Sequence, residues 1–219
     1  RRSDWFFSVN GIVAERGSAE FPVTEGDLVW WDYRDWSDAM EVGALVGAYP
    51  HPFKGGYDDK DWGVEIDCRG EEANCAIVRK QLEDEGVELV SRSQNMILRV
   101  GTWEEIVDTP EGRRVNRGPQ QSGVFVRWSA GGTGTPPGEE PAPWHLIGLD
   151  QEGEDVLDYG AESGLVAALR QGNGPPVWLI TGGTDEAVRW AAAALKPEDL
   201  EHRYAAVVGD GRVSSLPVP

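Results

Sequence analysis

Long apolar runs, cysteine and positive charge are all scarce in this sequence, and each scarcity excludes a class of protein. Apolar residues make up 40% of its 219 positions, yet they fall in short runs between glycines and prolines. None approaches the roughly 18 consecutive apolar residues that a membrane-spanning helix requires. A chain of this length and apolar content buries a real core, as one large domain or two small ones. Lys and Arg total 20 against 38 Asp and Glu, for a formal charge of -18. So acidic a surface repels phosphate backbones and anionic lipid head groups, which removes nucleic acid and acidic membranes from the expected partners.

Chemistry-bearing motifs are sparse as well. His51, His145 and His202 are scattered and lack the paired spacing of a structural zinc site. No serine occupies a Gly-x-Ser-x-Gly elbow, and acids this numerous form close pairs by density alone, so neither a nucleophile nor a carboxylate dyad marks an enzyme. The two cysteines, Cys68 and Cys75, sit at an expected strand end and in an early turn of the following helix. In a reducing compartment they are core thiols; in an exported protein they close a bridge, and so short a ring contributes roughly 2 kcal/mol. The bridge is the expectation, because those two positions approach within the Cα separation a disulfide spans. With it goes an extracytoplasmic location, secreted or held at the cell surface through residues upstream of Arg1.

Strands dominate the first third. DWFFSV (residues 4–9) is aromatic and β-branched, Asn10-Gly11 supplies the positive φ of a two-residue hairpin turn, and Ile12-Val13 begins the return strand. Residues 19–23 are expected as a second strand, and LVWWDY (residues 28–33), after a turn at 24–27, as a third. Glycine, proline and aromatics then take over between residues 36 and 60, which predicts a packed loop crossing to a second unit. There the pattern alternates: strand 63–67, helix 71–86, strand 95–100, and a helix from Trp103 to Arg114 opened by the Thr102/Glu105 capping box. Strand 124–128, a Gly/Pro-rich flexible loop at 130–143, and paired strands 145–149 and 156–159 follow. The chain closes with a short helix 161–170, a buried strand 177–181, a helix 185–195 and a hairpin around Gly209-Asp210-Gly211. Residues 64–82 match 177–195 in pattern, which predicts two related halves sharing one sheet or two uses of a common strand-turn-helix unit. The expected class is α+β, with an antiparallel sheet in residues 1–53 and an α/β unit in residues 54–219.

Three segments invite a ligand. Thr181-Gly182-Gly183-Thr184 has the glycines of a phosphate-binding turn, but Asp185 and Glu186 fill the first helical turn and no lysine follows. Thr184 is therefore expected as a plain N-cap. Asp58-Asp59-Lys60-Asp61 is acidic enough for calcium, yet Lys60 and Trp62 break the alternating oxygen spacing and leave a solvated turn. The aromatic set of Trp30, Trp31, Tyr33, Trp36, Tyr49, His51 and Phe53 is more informative. Neighbouring strand residues face opposite sides, so Trp30 and Trp31 cannot both fill one core. Either the second unit covers the extra face and residues 36–53 form an interdomain seam, or the face is a wall for an amphipathic ligand.

Trp5-Phe6-Phe7-Ser8-Val9-Asn10-Gly11, then Gly17-Ser18-Ala19 and Phe21, then Glu25-Gly26-Asp27 ahead of Leu28-Val29-Trp30-Trp31-Asp32-Tyr33 form a connected pattern. It resembles the C-terminal domain of the transcobalamin and intrinsic factor family, which also occurs in exported bacterial proteins, some associated with cobalamin-type uptake. The resemblance covers residues 4–33. It implies a partial β-grasp-like sheet in residues 1–53 without the family's first strand and helix, hence an exposed sheet edge that a protein partner or an upstream segment completes. It also implies a non-enzymatic ligand- or partner-binding protein linked to corrinoid uptake, with no resident cofactor and cobalamin as the ligand. The alternative is a structural or docking surface protein with no small-molecule ligand. A corrin ring has flat apolar faces and an amide rim. The implied site is accordingly a shallow wall of Trp31, Trp36, Tyr49, His51 and Phe53, with Asp32 and Arg34 as hydrogen-bonding groups. His51 is then the histidine that reaches cobalt, or else an ordinary loop residue.

Overall fold

The computed structural model describes residues 3–35, 42–60, 62–131, 142–209 and 211–219. Strand β1 (Ser3–Val9) turns into β2 (Ile12–Val13), and β3 (Val29–Asp35) runs along its other side, giving an antiparallel sheet of order β2-β1-β3. The turn is left-handed at both positions, with φ of 51° at Asn10 and 77° at Gly11, the geometry whose twist suits a two-residue hairpin. Asn10 is buried and ties the turn to its surroundings. Its side chain donates to Asp27 Oδ1 (2.8 Å) and to the Gly56 carbonyl (3.1 Å) and accepts from the Leu28 N–H (2.9 Å). Residues 19–23, expected as a strand, are turn and irregular chain. Pro22 has no ladder donor to offer, and Phe21 alone enters the core, edge-on to Phe7 at 5.9 Å.

The expected loop contains a 3-10 turn (Val46–Ala48) and a short helix α1 (His51–Gly55). Beyond it lie β4 (Gly63–Cys68), α2 (Glu72–Asp84), β5 (Asn95–Val100), α3 (Trp103–Ile106), α4 (Pro110–Asn116) and α5 (Pro119–Ser122). Then follow β6 (Val126–Gly131), β7 (Ala142–Leu149), β8 (Asp155–Gly160), β9 (Gly164–Leu169), β10 (Val177–Gly182), α6 (Asp185–Ala193), α7 (Pro197–Leu200), β11 (Ala205–Gly209) and β12 (Arg212–Leu216). The central sheet has the order β12-β11-β9-β10-β5-β4. Its β4, β5 and β10 are parallel and the remaining pairings antiparallel. β6, β7 and β8 make a separate antiparallel sheet. The architecture is α+β.

Two expected helices are corrected. Residues 161–170 hold β9, a strand buried along its whole length between β10 and β11. Gly-Leu-Val-Ala-Ala-Leu is apolar on both faces, and a run that short carries no helical period to distinguish it from a core strand. The helix from Trp103 to Arg114 is two helices, because Pro110 cannot donate to the preceding turn and starts a new helix, with Thr109 Oγ1 accepting from the Gly112 N–H at 3.1 Å. The capping box at Thr102 and Glu105 is formed. Most of the expected loop at 130–143 lies outside the described residues, as does Asp210 in the closing hairpin.

Both faces of the central sheet are covered. Trp178, Ile180, Val166 and Ala206 point to one side, where α2 and α6 lie together; Leu179, Leu165, Ala167 and Val207 point to the other, under Trp103, Phe125 and Leu146. The patterned repeat recurs in this sheet as β4 with α2 and β10 with α6, on either side of β5. Phe7, Val9 and Ile12 join the cluster that contains Val64, Trp178 and Val188, so residues on both sides of the expected boundary at 53/54 share one core. Cys68 and Cys75 are joined, with their Cα atoms 5.8 Å apart, clipping the end of β4 to α2. Among the described residues no helix is long and apolar enough to cross a membrane.

Candidate functional site, an aromatic strip on the N-terminal sheet

The register of β1 against β3 determines which rings meet. Trp5 lies opposite Tyr33, Phe7 opposite Trp31, and Phe6 opposite Asp32. The Asn10 N–H donates to the Leu28 carbonyl at 2.9 Å, so even-numbered β1 residues exchange backbone hydrogen bonds with β3. Trp5–Tyr33 and Phe7–Trp31 are therefore non-hydrogen-bonded pairs, the kind whose side chains stand closest.

On one face these pairs build a strip of rings in water. Trp5 and Tyr33 are each 61% exposed and Trp31 is 49% exposed, whereas Phe7 at the end of the strip is buried. Ring centroids are 5.3 Å apart for Trp5 and Tyr33, 6.5 Å for Trp5 and Trp31, and 5.1 Å for Phe7 and Trp31. Trp5, Trp31 and Tyr33 thus form a contiguous aromatic patch left in water on the paired ladder of β1 and β3.

The opposite face of the same strands is seated. Trp30 stacks on Tyr204 with centroids 5.5 Å apart and meets His202 edge-on. The Tyr204 hydroxyl donates to the Asp32 carboxylate. Burial and that acceptor push the Tyr204 hydroxyl well above its ordinary range. Arg34 is buried with its guanidinium 4.3 Å from the Phe6 ring, 5.9 Å from the Tyr204 ring and 3.6 Å from Asp32. Of the two tryptophans that cannot share a core, Trp30 is covered by residues 202–204 and Trp31 is left bare.

The expected wall is thus rearranged. Tyr49 and Phe53 are buried core residues, packed on Trp178 at 6.1 and 5.0 Å, and the Tyr49 hydroxyl donates to the Gln81 carbonyl. They line no surface with Trp31. His51 opens α1 and faces a cavity of about 450 Å³ lined by Thr24, Asp27, Lys54 and Glu85; it makes no ring contact with the strip. Asp32 and Arg34 belong to the seated face. Trp36 lies outside the described residues. Trp31 alone of the expected site residues remains on the strip, and Trp5 and Tyr33 join it. The period-2 alternation of the two strands contained that signal, but only the pairing of β1 with β3 brings the alternations into register.

A corrin fits this arrangement only in part: the strip offers it flat rings, while Asp32, Arg34 and His51 are turned elsewhere and supply neither rim hydrogen bonds nor a cobalt ligand. The other ligand motifs are closed. Thr184 Oγ1 accepts from the Ala187 N–H at 3.2 Å as an N-cap, and a side chain at Gly183 would run into the Trp144 and Ala161 backbone, so no cradle is open there. Burial, with Glu71 and Glu105 nearby, raises the Asp185 carboxyl, a setting hostile to an anion. Asp58 and Asp59 form a tight turn at positive φ between Tyr57 and Lys60, and Asp58 pairs with Arg16. Among the described residues the one group close enough to share a metal is Cys68, Glu72 and Cys75, whose sulfurs are bonded to each other. No family model matches the chain, and no match is found among curated proteins.

Proposed function

We propose that the protein is an extracytoplasmic, non-enzymatic binding module that holds an amphipathic ligand or a protein partner on the aromatic strip of β1 and β3. The carrying observation is the contrast between Trp30, covered by Tyr204, and the bare rings of Trp5, Trp31 and Tyr33 on the reverse of the same strands. Burying those rings returns roughly 25 cal/mol per Å² of apolar surface, and the paired ladder needs no ordering for it to happen. The Cys68–Cys75 bridge supports an oxidising compartment, secreted or at the cell surface.

A corrinoid is the first ligand to test, because residues 4–33 resemble a family that binds one and because the apolar faces of a macrocycle can cover the exposed rings of Trp5, Trp31 and Tyr33, which are tilted to one another. Titration with hydroxocobalamin, read by visible absorption and tryptophan fluorescence, should shift the corrin bands and quench the strip. Unchanged bands and fluorescence would leave the second reading, a docking protein with no small-molecule ligand. That reading is favoured independently by the outer edge of β3, which no strand covers among the described residues.

A further inference from the structure

The ladder that positions the strip also leaves backbone groups unused. With even-numbered residues of β1 bonded to β3, the N–H and C=O groups of Val29, Trp31 and Tyr33 point away from β1. Those groups have no partner among the described residues.

Several other sheet edges are guarded. β2 covers the inner part of β1, and the Asp4 carboxylate takes the Trp5 N–H at 2.8 Å. The chain near Val90 covers β4, accepting the Val64 N–H at 2.9 Å, and register shifts interrupt the ladders of β6, β7 and β8. β3 has none of these devices. VWWDYRD contains no proline, lysine or glycine, and its register with β1 is unbroken from Val29 to Asp35. An aromatic edge strand in unbroken register, with its outward backbone groups at Val29, Trp31 and Tyr33 unpaired among the described residues, is a template for another strand.

Charge indicates what kind of strand. Within residues 3–9 and 24–35 the acids are Asp4, Glu25, Asp27, Asp32 and Asp35 and the one base is Arg34, which is buried, in a chain of formal charge -18. A second copy would bring the same acids, and a second formal charge of -18, to this edge. A cationic segment meets the opposite charge, and its alternate side chains fall beside the exposed faces of Trp31 and Tyr33, where a guanidinium or ammonium gains a cation–π contact.

We propose that the outer edge of β3 is a strand-addition site for an extended basic segment of another protein, with arginine or lysine at alternate positions on the side of the aromatic strip. This rests on the binding-module reading and supplies its partner class. Backbone hydrogen bonds would provide affinity and the ring faces would select the cation.

The test uses the full chain and an end-capped seven-residue peptide alternating arginine and valine. Amide hydrogen exchange at Trp31 and Tyr33 should slow at least tenfold on binding, and affinity should fall as salt rises. The same peptide N-methylated at alternate amides should bind at least tenfold more weakly, and a glutamate-for-arginine version should not bind. Equal affinity for the N-methylated peptide overturns strand addition while leaving the strip as a side-chain surface. Equal affinity for the glutamate peptide overturns the cationic partner. A dimer in sedimentation equilibrium whose β3 amides are already protected gives the edge to a second copy and overturns the proposal. Binding of hydroxocobalamin without any peptide removes the proposal and keeps the binding module; binding of neither removes both.

Discussion

Alkaline unfolding gives a quantitative check on how the N-terminal sheet is seated, because two of the tyrosines that anchor its surroundings hold their protons unusually tightly. Burial raises both Tyr49 and Tyr204 above the ordinary 10.0. Glu85 and Asp84 add to the effect at Tyr49, and the hydrogen bond to Asp32 adds to it at Tyr204. A folded-state value above the unfolded one means stability that is complete below pH 10 and is lost as pH rises through the folded value. Above pH 10 the unfolded chain ionises both residues while the folded chain does not. Unfolding free energy then falls by about 1.4 kcal/mol per pH unit for each tyrosine, about 2.7 kcal/mol for the pair. Against a total stability of about 5–15 kcal/mol for a typical domain, two units of pH consume much of it. Tyr57 is raised too, by burial and Glu15 against the lowering effect of Arg170, and it cancels when variants are compared with wild type. Urea unfolding followed by circular dichroism in small steps above pH 9 measures the slope. Tyr204→Phe and Tyr49→Phe should each flatten it by about 1.4 kcal/mol per unit. A Tyr204→Phe variant with the wild-type slope would refute the reasoning: Tyr204 would not be buried against Asp32, and Trp30 would have no cover.

Gly11→Val should destabilise by more than about 2 kcal/mol, since the left-handed backbone resists a β-branched residue and a Cβ there meets the Leu45 oxygen at 2.9 Å and the Ala48 Cβ at 3.0 Å; an unchanged melting temperature would contradict the turn. Thiol labelling in denaturant should find no reactive cysteine until reductant is added, and replacing Cys68 and Cys75 by serine should cost about 2 kcal/mol in urea unfolding. Two labelled thiols per chain before reduction would end the inference of an oxidising compartment. Trp30→Ala should cost about 3 kcal/mol through loss of its packing on Tyr204, and Trp5→Ala about 1 kcal/mol, because most of its ring is already in water. Equal losses in the unfolding midpoints would erase the distinction between the seated and the open face.

The N-terminal hairpin was legible because Asn10-Gly11 has one common structural use and strong alternation flanks it. The bridge was legible because Cys68 and Cys75 fall at a strand end and in the next helix. Residues 164–169 were not, since a fully buried strand and a short core helix place the same apolar residues in the same order. The break at Pro110 is written in the sequence, but the capping box at Thr102 and Glu105 marks only where a helix starts and not where it stops. The site was half legible. Trp30 and Trp31 had to face opposite ways, yet which of them is covered depends on Tyr204, far along the chain. Tyr49 and Phe53 were open to two readings, a packed seam or a ligand wall, and their burial is decided by Trp178, also far along the chain. Long-range pairing, not local pattern, decides those positions.

The central claim is that the strip binds and the fold does not need it. The most direct measurement is the hydroxocobalamin titration repeated on Trp31→Ala, with the urea midpoint recorded on the same sample. Trp31 is half in water and its strand is held by the opposite face. The predicted result is binding by the wild type, at least tenfold weaker binding by the variant, and a loss of stability near 1 kcal/mol. Equal binding by both proteins, or a variant that unfolds, would contradict the account.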